Sequence, residues 1–218
     1  MKSVRSVLVL VCAMTLFGCV APTSYDYSAF RESKPASILV LPPLNNTTEV
    51  GATAGFYAQT TYPLAESGYY VFPVAVVTET FRQNGLEQAA DIHALPTTKL
   101  HEVFKSDAAL YIELTEYGTS YVVISSETRV TATAKLVDLR SGALLWEGKA
   151  TASSAEQRSS GGGGLVGLLV EAAVNQIMET VTDRSYQIAA ITNARLLSAG
   201  MPNGILYGPR SPQYAGQK

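Results

Sequence analysis

The chain has 218 residues, and its 16 Lys and Arg against 18 Asp and Glu give a formal net charge of −2. With no basic patch and no arginine-rich run, the composition argues against nucleic acid as a ligand. The length suffices for one real hydrophobic core and is short for two.

The amino terminus reads as an export signal. Met1-Lys2-Ser3-Val4-Arg5 is a positive n-region, Val7 to Phe17 is an apolar run interrupted by Thr15, and Gly18-Cys19 closes it. The run is too short to cross a bilayer, which takes ~20 apolar residues. Leu16-Phe17-Gly18-Cys19 fits a lipobox, with an aliphatic residue three before the cysteine and glycine just before it. Cleavage removes Cys12, so no intramolecular disulfide can form and Cys19 is left as the lone thiol at the new N-terminus. Lipidation of Cys19 is the expected fate of that thiol. Each buried acyl CH₂ contributes about 0.8 kcal/mol, so several chains make the anchor effectively permanent. Val20 stands where the inner-membrane retention signal of enteric bacteria is Asp, which favours the outer membrane. The domain is expected to face the periplasm, with surface exposure left open. Loss of Lys2 and Arg5 leaves 14 basic against 18 acidic residues, a net charge of −4.

Residues 19–36 then read as a lipidated tether, because they lack apolar periodicity and carry Pro22 and Pro35. A flexible stretch of that length spans ~20–25 Å; pinning of its tyrosines onto the domain is the alternative. Ser37 to Leu41 is a continuous apolar run stopped by Pro42-Pro43, as a buried strand would be. Val50, Ala54, Tyr57, Thr61 and Leu64 recur at helical spacing up to Gly68. Tyr69 to Val77 is predicted as an edge or bulged strand because of Pro73. Short helices are predicted over Thr78–Asn84 and Thr98–Lys105.

From Ala108 the period falls to two. Leu110, Ile112 and Leu114 alternate with Tyr111, Glu113 and Thr115, and similar alternation runs through Arg129–Leu136 and Leu144–Thr151. Three such segments predict an antiparallel meander covered on one side, with Asp138 to Gly142 as a turn. Gly161 to Gly164 reads as a loop or hinge, and Leu165 to Arg195 as one or two long helices with an apolar stripe of Val166, Val170, Val174, Ile177 and Val181. The Pro- and Gly-rich stretch after Gly200 is expected to be an irregular tail. The predicted organisation is a signal peptide (1–18), the tether (19–36), one globular α/β or α+β domain (37–199) and the tail (200–218).

No arrangement of residues carries recognisable catalysis. The four glycines are followed by Leu165 and Val166 where a phosphate loop needs Lys and Ser or Thr. His93 and His101 are the sole histidines and have no neighbouring cysteine, so no metal site is expected, and they read as surface residues. Neither G-x-S-x-G nor H-E-x-x-H occurs. Glu113 reads as a cross-strand partner of Arg129 or Lys149. Tyr111, Tyr117 and Tyr121 cluster near the first turn of the meander, and tyrosine combines area with a polar tip at interfaces. These three, with Val166, Val170 and Val174, form the candidate partner interface, against which stand packing of the tyrosines over strand ends and burial of the helix in the core.

Ala109-Leu110-Tyr111-Ile112, Tyr117-Gly118-Thr119-Ser120-Tyr121, Ala134 to Gly142, Leu145-Trp146-Glu147-Gly148, Thr182 to Tyr186 and Leu206 to Arg210 together resemble a family of bacterial outer-membrane lipoproteins of unknown function. That resemblance covers nearly the whole mature chain. It implies a layered sandwich like the amino-terminal domain of TolB, and more distantly the curli-secretion lipoprotein CsgG, with a mixed sheet, an antiparallel meander and helices packed on one face. It also implies a shared envelope complex with a CsgG-like lipoprotein, and it brings no catalytic residues.

The expected function is therefore a non-enzymatic assembly or accessory part of an envelope or export complex, with no cofactor. Its partners would be the outer membrane, through acyl chains on Cys19, and other envelope lipoproteins, with a homo-oligomer left open. A periplasmic glycan- or ligand-binding module is the alternative.

Overall fold

The computed structural model describes residues 25–122, 125–159 and 184–217. Cys19, the signal peptide, the glycine run and the candidate interface residues Val166, Val170 and Val174 lie outside the described residues.

In chain order the elements are α1 (Ser28–Ser33), β1 (Ser37–Val40), β2 (Leu44–Asn45), α2 (Ala52–Tyr57), α3 (Thr61–Glu66), β3 (Tyr70–Val71), α4 (Val74–Gln83), α5 (Ala89–His93), α6 (Thr97–Phe104), β4 (Ala108–Val122), β5 (Ser125–Asp138), β6 (Leu144–Ser153), α7 (Ser154–Ser159) and α8 (Arg184–Leu197). The strands form a mixed sheet in the order β3-β1-β4-β5-β6, with β2 also beside β4. β1 runs parallel to β3 and β4, whereas β4, β5 and β6 are antiparallel neighbours. The predicted α/β class with a mixed sheet and a meander is the one observed.

The apolar run at β1 follows from its position. Ile38 and Val40 point into one core with Leu110, Leu136 and Trp146, while Leu39 and Leu41 point into a second core with Val77, Phe81, Ile92 and Leu100. Helices therefore cover both faces of the sheet around β1. Helices on one face alone, the expected arrangement, hold only for the meander. There Val130, Ala132, Ala134 and Leu136 are buried under α8, and Arg129 and Lys135 are exposed on the other side. Burying each large apolar side chain contributes roughly 1.5–3 kcal/mol.

The strand predicted over Tyr69–Val77 is only two residues long. Pro73, with φ −57° and ψ 122°, is the last extended residue, and α4 starts directly after it. Its fixed φ suits the residue that caps a helix as well as one that ends a strand.

Of the two readings of the tether, a loose leash or tyrosines pinned onto the domain, the described part follows the second, and the tail is likewise part of the folded body. Within the predicted tether, Phe30 is 4% exposed, and Tyr25 and Tyr27 pack against the main core. Tyr25 N–H donates to Asn203 Oδ1 at 3.1 Å, the Tyr27 hydroxyl donates to Gly204 O, and Ala36 N and Ser37 N both donate to Asp107 Oδ2 at 3.0 Å. The domain therefore begins by residue 25, not 37. The stretch after Gly200 carries a 3₁₀ turn at Tyr214–Gly216, Ile205 within it is buried, and its backbone is fixed. Gly208 N donates to Ser67 O at 2.8 Å and Arg210 N to Gly68 O at 3.1 Å. Gly68 has φ +96°, and a Cβ on it would lie 2.5 Å from Ser211 N. Only glycine allows both that backbone conformation and that approach.

Candidate functional site

Among the described residues no helix covers one face of the meander, and that face carries the polar members of the alternation. Register places Tyr111, Lys135 and Glu147 in one cross-strand row and Glu113, Thr133 and Lys149 in the next. Where this face meets the helices there is an open groove of about 300 Å³. Leu44, Ile112, Ala134 and Val137 supply its apolar part, and His93, Tyr111, Glu113, Thr133 and Lys135 its polar and aromatic part.

His93 ends α5 and is partly buried at the groove wall, with Nε2 2.9 Å from the Pro42 carbonyl oxygen. A carbonyl can only accept, so Nε2 carries the proton, and Nδ1 is the acceptor of the neutral ring. Burial pushes the His93 pKa below its ordinary value, opposed by the Pro42 carbonyl and the charge of Glu113. The imidazole stands edge-on to the Tyr111 ring, with centroids 5.2 Å apart and planes at 86°. Burial likewise raises the Tyr111 phenol. Glu113 does not pair with Arg129 or Lys149 in the way cross-strand reasoning predicts: it lies opposite Thr133 and accepts a hydrogen bond from Asn46 Nδ2. His101 serves a different place, its Nδ1 2.8 Å from Ser106 O just beyond the end of α6.

Chemically, the groove offers aromatic edges, one carboxylate, one exposed ammonium and a neutral imidazole whose Nε2 is committed to a backbone carbonyl. That inventory suits binding. Among the described residues no group of three or more His, Cys, Asp and Glu is placed to hold a metal ion.

Of the expected tyrosine cluster, Tyr111 and Tyr117 lie on opposite faces of the sheet. Register shifts between Leu114 and Glu116, so Thr115 is an extra residue and β4 reverses its in-out alternation there. Tyr111 lies on the open face, whereas Tyr117 is buried in the core on the other face, its hydroxyl end against Gly55. Tyr121 is farther out on β4, opposite Ser126. The residues that join Tyr111 are instead His93, Glu113 and Lys135. The alternation of β4 already puts Tyr111 and Glu113 on one face, but nothing local announces that α5 brings His93 beside them.

A mixed-sheet α/β domain of this kind is the fold of a lipoprotein family. Residues 25–210 match the family model described as "Putative lipoprotein GNA1162-like", and the chain belongs to that family. It is 52% identical over 206 residues to the "Putative lipoprotein NMB1124/NMB1162" of Neisseria meningitidis serogroup B, covering 94% of this chain and 95% of that protein. It is also similar to the crystal structure of lipoprotein GNA1162 from Neisseria meningitidis, with a TM-score of 0.56 and 56% identity, over 66% of this chain and 98% of that one. These descriptions name a lipoprotein and no catalytic activity. Among the described residues no helix is long and apolar enough to cross a membrane.

Proposed function

We propose that the protein is a non-enzymatic lipoprotein acylated on Cys19, held at the outer membrane with its domain in the periplasm. There it acts as an assembly part of an envelope or export complex with other lipoproteins, CsgG-like ones among them. The observation that carries this reading is the open face of the meander. Its Tyr111–Lys135–Glu147 and Glu113–Thr133–Lys149 rows span three strands with no covering helix among the described residues. Such a face, rimmed by an aromatic groove, is the kind of surface a partner protein covers. A photo-crosslinker at Lys135 or Lys149 in intact cells should join a defined envelope lipoprotein, and one at Glu66 on α3 should not. No adduct from the meander face, with the Glu66 control behaving the same, overturns the reading.

The groove at His93 and Tyr111 supports a second reading, a binding module for a glycan or another periplasmic ligand, since aromatic edges beside a few polar groups are the usual makeup of such sites. Retention on purified peptidoglycan that Tyr111→Ala abolishes would favour it over assembly. Replacement of Cys19 by Ala should release a folded protein from the membrane fraction, and a Cys19→Ala protein that stays with membranes would overturn the anchor.

A further inference from the structure

The place where the N-terminal segment leaves the domain is defined. β6 is the outermost strand of the meander, and among the described residues no further strand pairs with its outer edge. Arg195 Nη1 donates to Thr151 O on that edge at 2.7 Å, and Glu147 lies near the Tyr25 hydroxyl. Lys149 and Thr151 are two residues apart on one strand, so the backbone groups of Lys149 point to the same outer side as Thr151 O. Beside Lys149 lies a groove of about 340 Å³ bordered by Trp146, Arg195, Met201, Pro202 and Asn203. Tyr25 N–H is bonded to that same Asn203, and Tyr25 and Tyr27 hold their rings 5.0 Å apart next to it.

Length then fixes orientation. Six residue steps separate Cys19 from Tyr25, and a fully extended chain covers at most ~3.3–3.6 Å per residue, so Tyr25 stays within about 20 Å of the acylated residue. A compact domain of this size is roughly 40 Å across. A leash half the width of the body it holds cannot present the opposite pole to the bilayer.

We infer that the β6 edge, with Tyr25, Tyr27, Lys149, Met201 and Pro202, is the face apposed to the phospholipid headgroups of the membrane that holds the acyl chains. This inference rests on the acylation of Cys19 proposed above. The surface has the composition of an interfacial contact: tyrosine rings, a methionine and a proline beside the cation of Lys149. The β3 edge, four strand spacings of ~4.8 Å across the sheet, then lies farther from the bilayer than the β6 edge. The groove at β6 then opens onto lipid, and the open face of the meander stands to the side, accessible to protein partners.

The test uses the acylated full-length mature protein in vesicles of phosphatidylethanolamine and phosphatidylglycerol. Acylation consumes Cys19 and Cys12 leaves with the signal, so single cysteines can be labelled with bimane without background. Lys149→Cys and Pro202→Cys report the near edge, Glu66→Cys and Ala75→Cys the far one, all at exposed positions. Lipid carrying a nitroxide on its headgroup should quench the first pair several-fold more than the second. Vesicle flotation of the same samples separates the two ideas. Protein that floats but shows equal quenching at both edges, or stronger quenching at Glu66→Cys and Ala75→Cys, overturns the orientation and leaves the anchor standing. Protein that does not float overturns the anchor, and the orientation with it.

Discussion

The two halves of the sheet solve burial differently. Around β1 the sheet lies between two layers of helices, and four consecutive residues from Ile38 to Leu41 have no exposed surface. Along β5 from Ala132 to Leu136 every second residue is buried and the ones between are at least partly open to solvent, as Lys135 is beside buried Ala134 and Leu136. A parallel strand between helices has to be apolar without pause, whereas a meander covered once can spend alternate positions on binding. The half with one bare face is the half that carries the candidate site.

Substitution by parity should break this contrast most sharply. Ile38→Ala and Leu39→Ala are adjacent, and each should cost about 2–5 kcal/mol in urea unfolding. On β5 Leu136→Ala should cost a similar amount and Lys135→Ala stay within about 0.5 kcal/mol. Equal costs at Lys135 and Leu136 would mean that the open face is covered by something else. Next in size is the clasp between the tail and the α3–β3 turn. Gly68→Ala meets a positive φ and the backbone of Ser211 together and should cost about 2–4 kcal/mol, measured as a loss of thermal midpoint that Gly85→Ala, with open space around its Cβ, does not match.

The bulge gives a finer comparison within one strand. Tyr117→Ala should cost about 3 kcal/mol as a buried aromatic truncation, and Tyr111→Ala on the open face only about 1 kcal/mol. Comparable values for the two would argue that the alternation of β4 is not reversed at Thr115. The smallest effect concerns His93. Burial depresses its folded-state pKa below the ordinary value of 6.5, so above that pH both states hold the neutral ring. As pH falls through 6.5 the unfolded chain takes up the proton first, and stability drops until the folded-state pKa is passed. His93→Gln should flatten that part of the pH–stability curve, and an unchanged slope would show that another group titrates there.

Much of the fold was legible because single-sided burial imposes a visible period. The meander follows from it, β1 follows from its unbroken apolar run, and the turn at Asp138 follows from its turn residues; that turn is held by Asp138 Oδ1, which accepts from Arg140 N at 2.9 Å and Ser141 N at 2.7 Å. Burial pushes the Asp138 carboxyl up, yet hydrogen bonds from Ser33, Ser141 and Arg140 outweigh it and hold the pKa below its ordinary value. What was not legible depends on long-range partners or on a change of phase. Thr115 is an ordinary strand residue and carries no mark of a bulge, so counting in twos put Tyr117 on the same face as Tyr111. Pro73 ends a strand and begins a helix with the same φ, so composition alone could not divide Tyr69–Val77. The segment at Tyr25–Phe30 and the tail have no period because their contacts lie far away in sequence. The groove at His93 is of the same kind: its strand half follows from alternation, and its helix half from a tertiary approach.

The bond from Tyr27 to Gly204 joins positions 177 residues apart, and that from Tyr69 to Leu206 joins positions 137 apart. The first and last parts of the domain are stitched to each other. A chain emerging from the ribosome cannot close this body until nearly all of it has been synthesised, and contacts of such long range also form slowly.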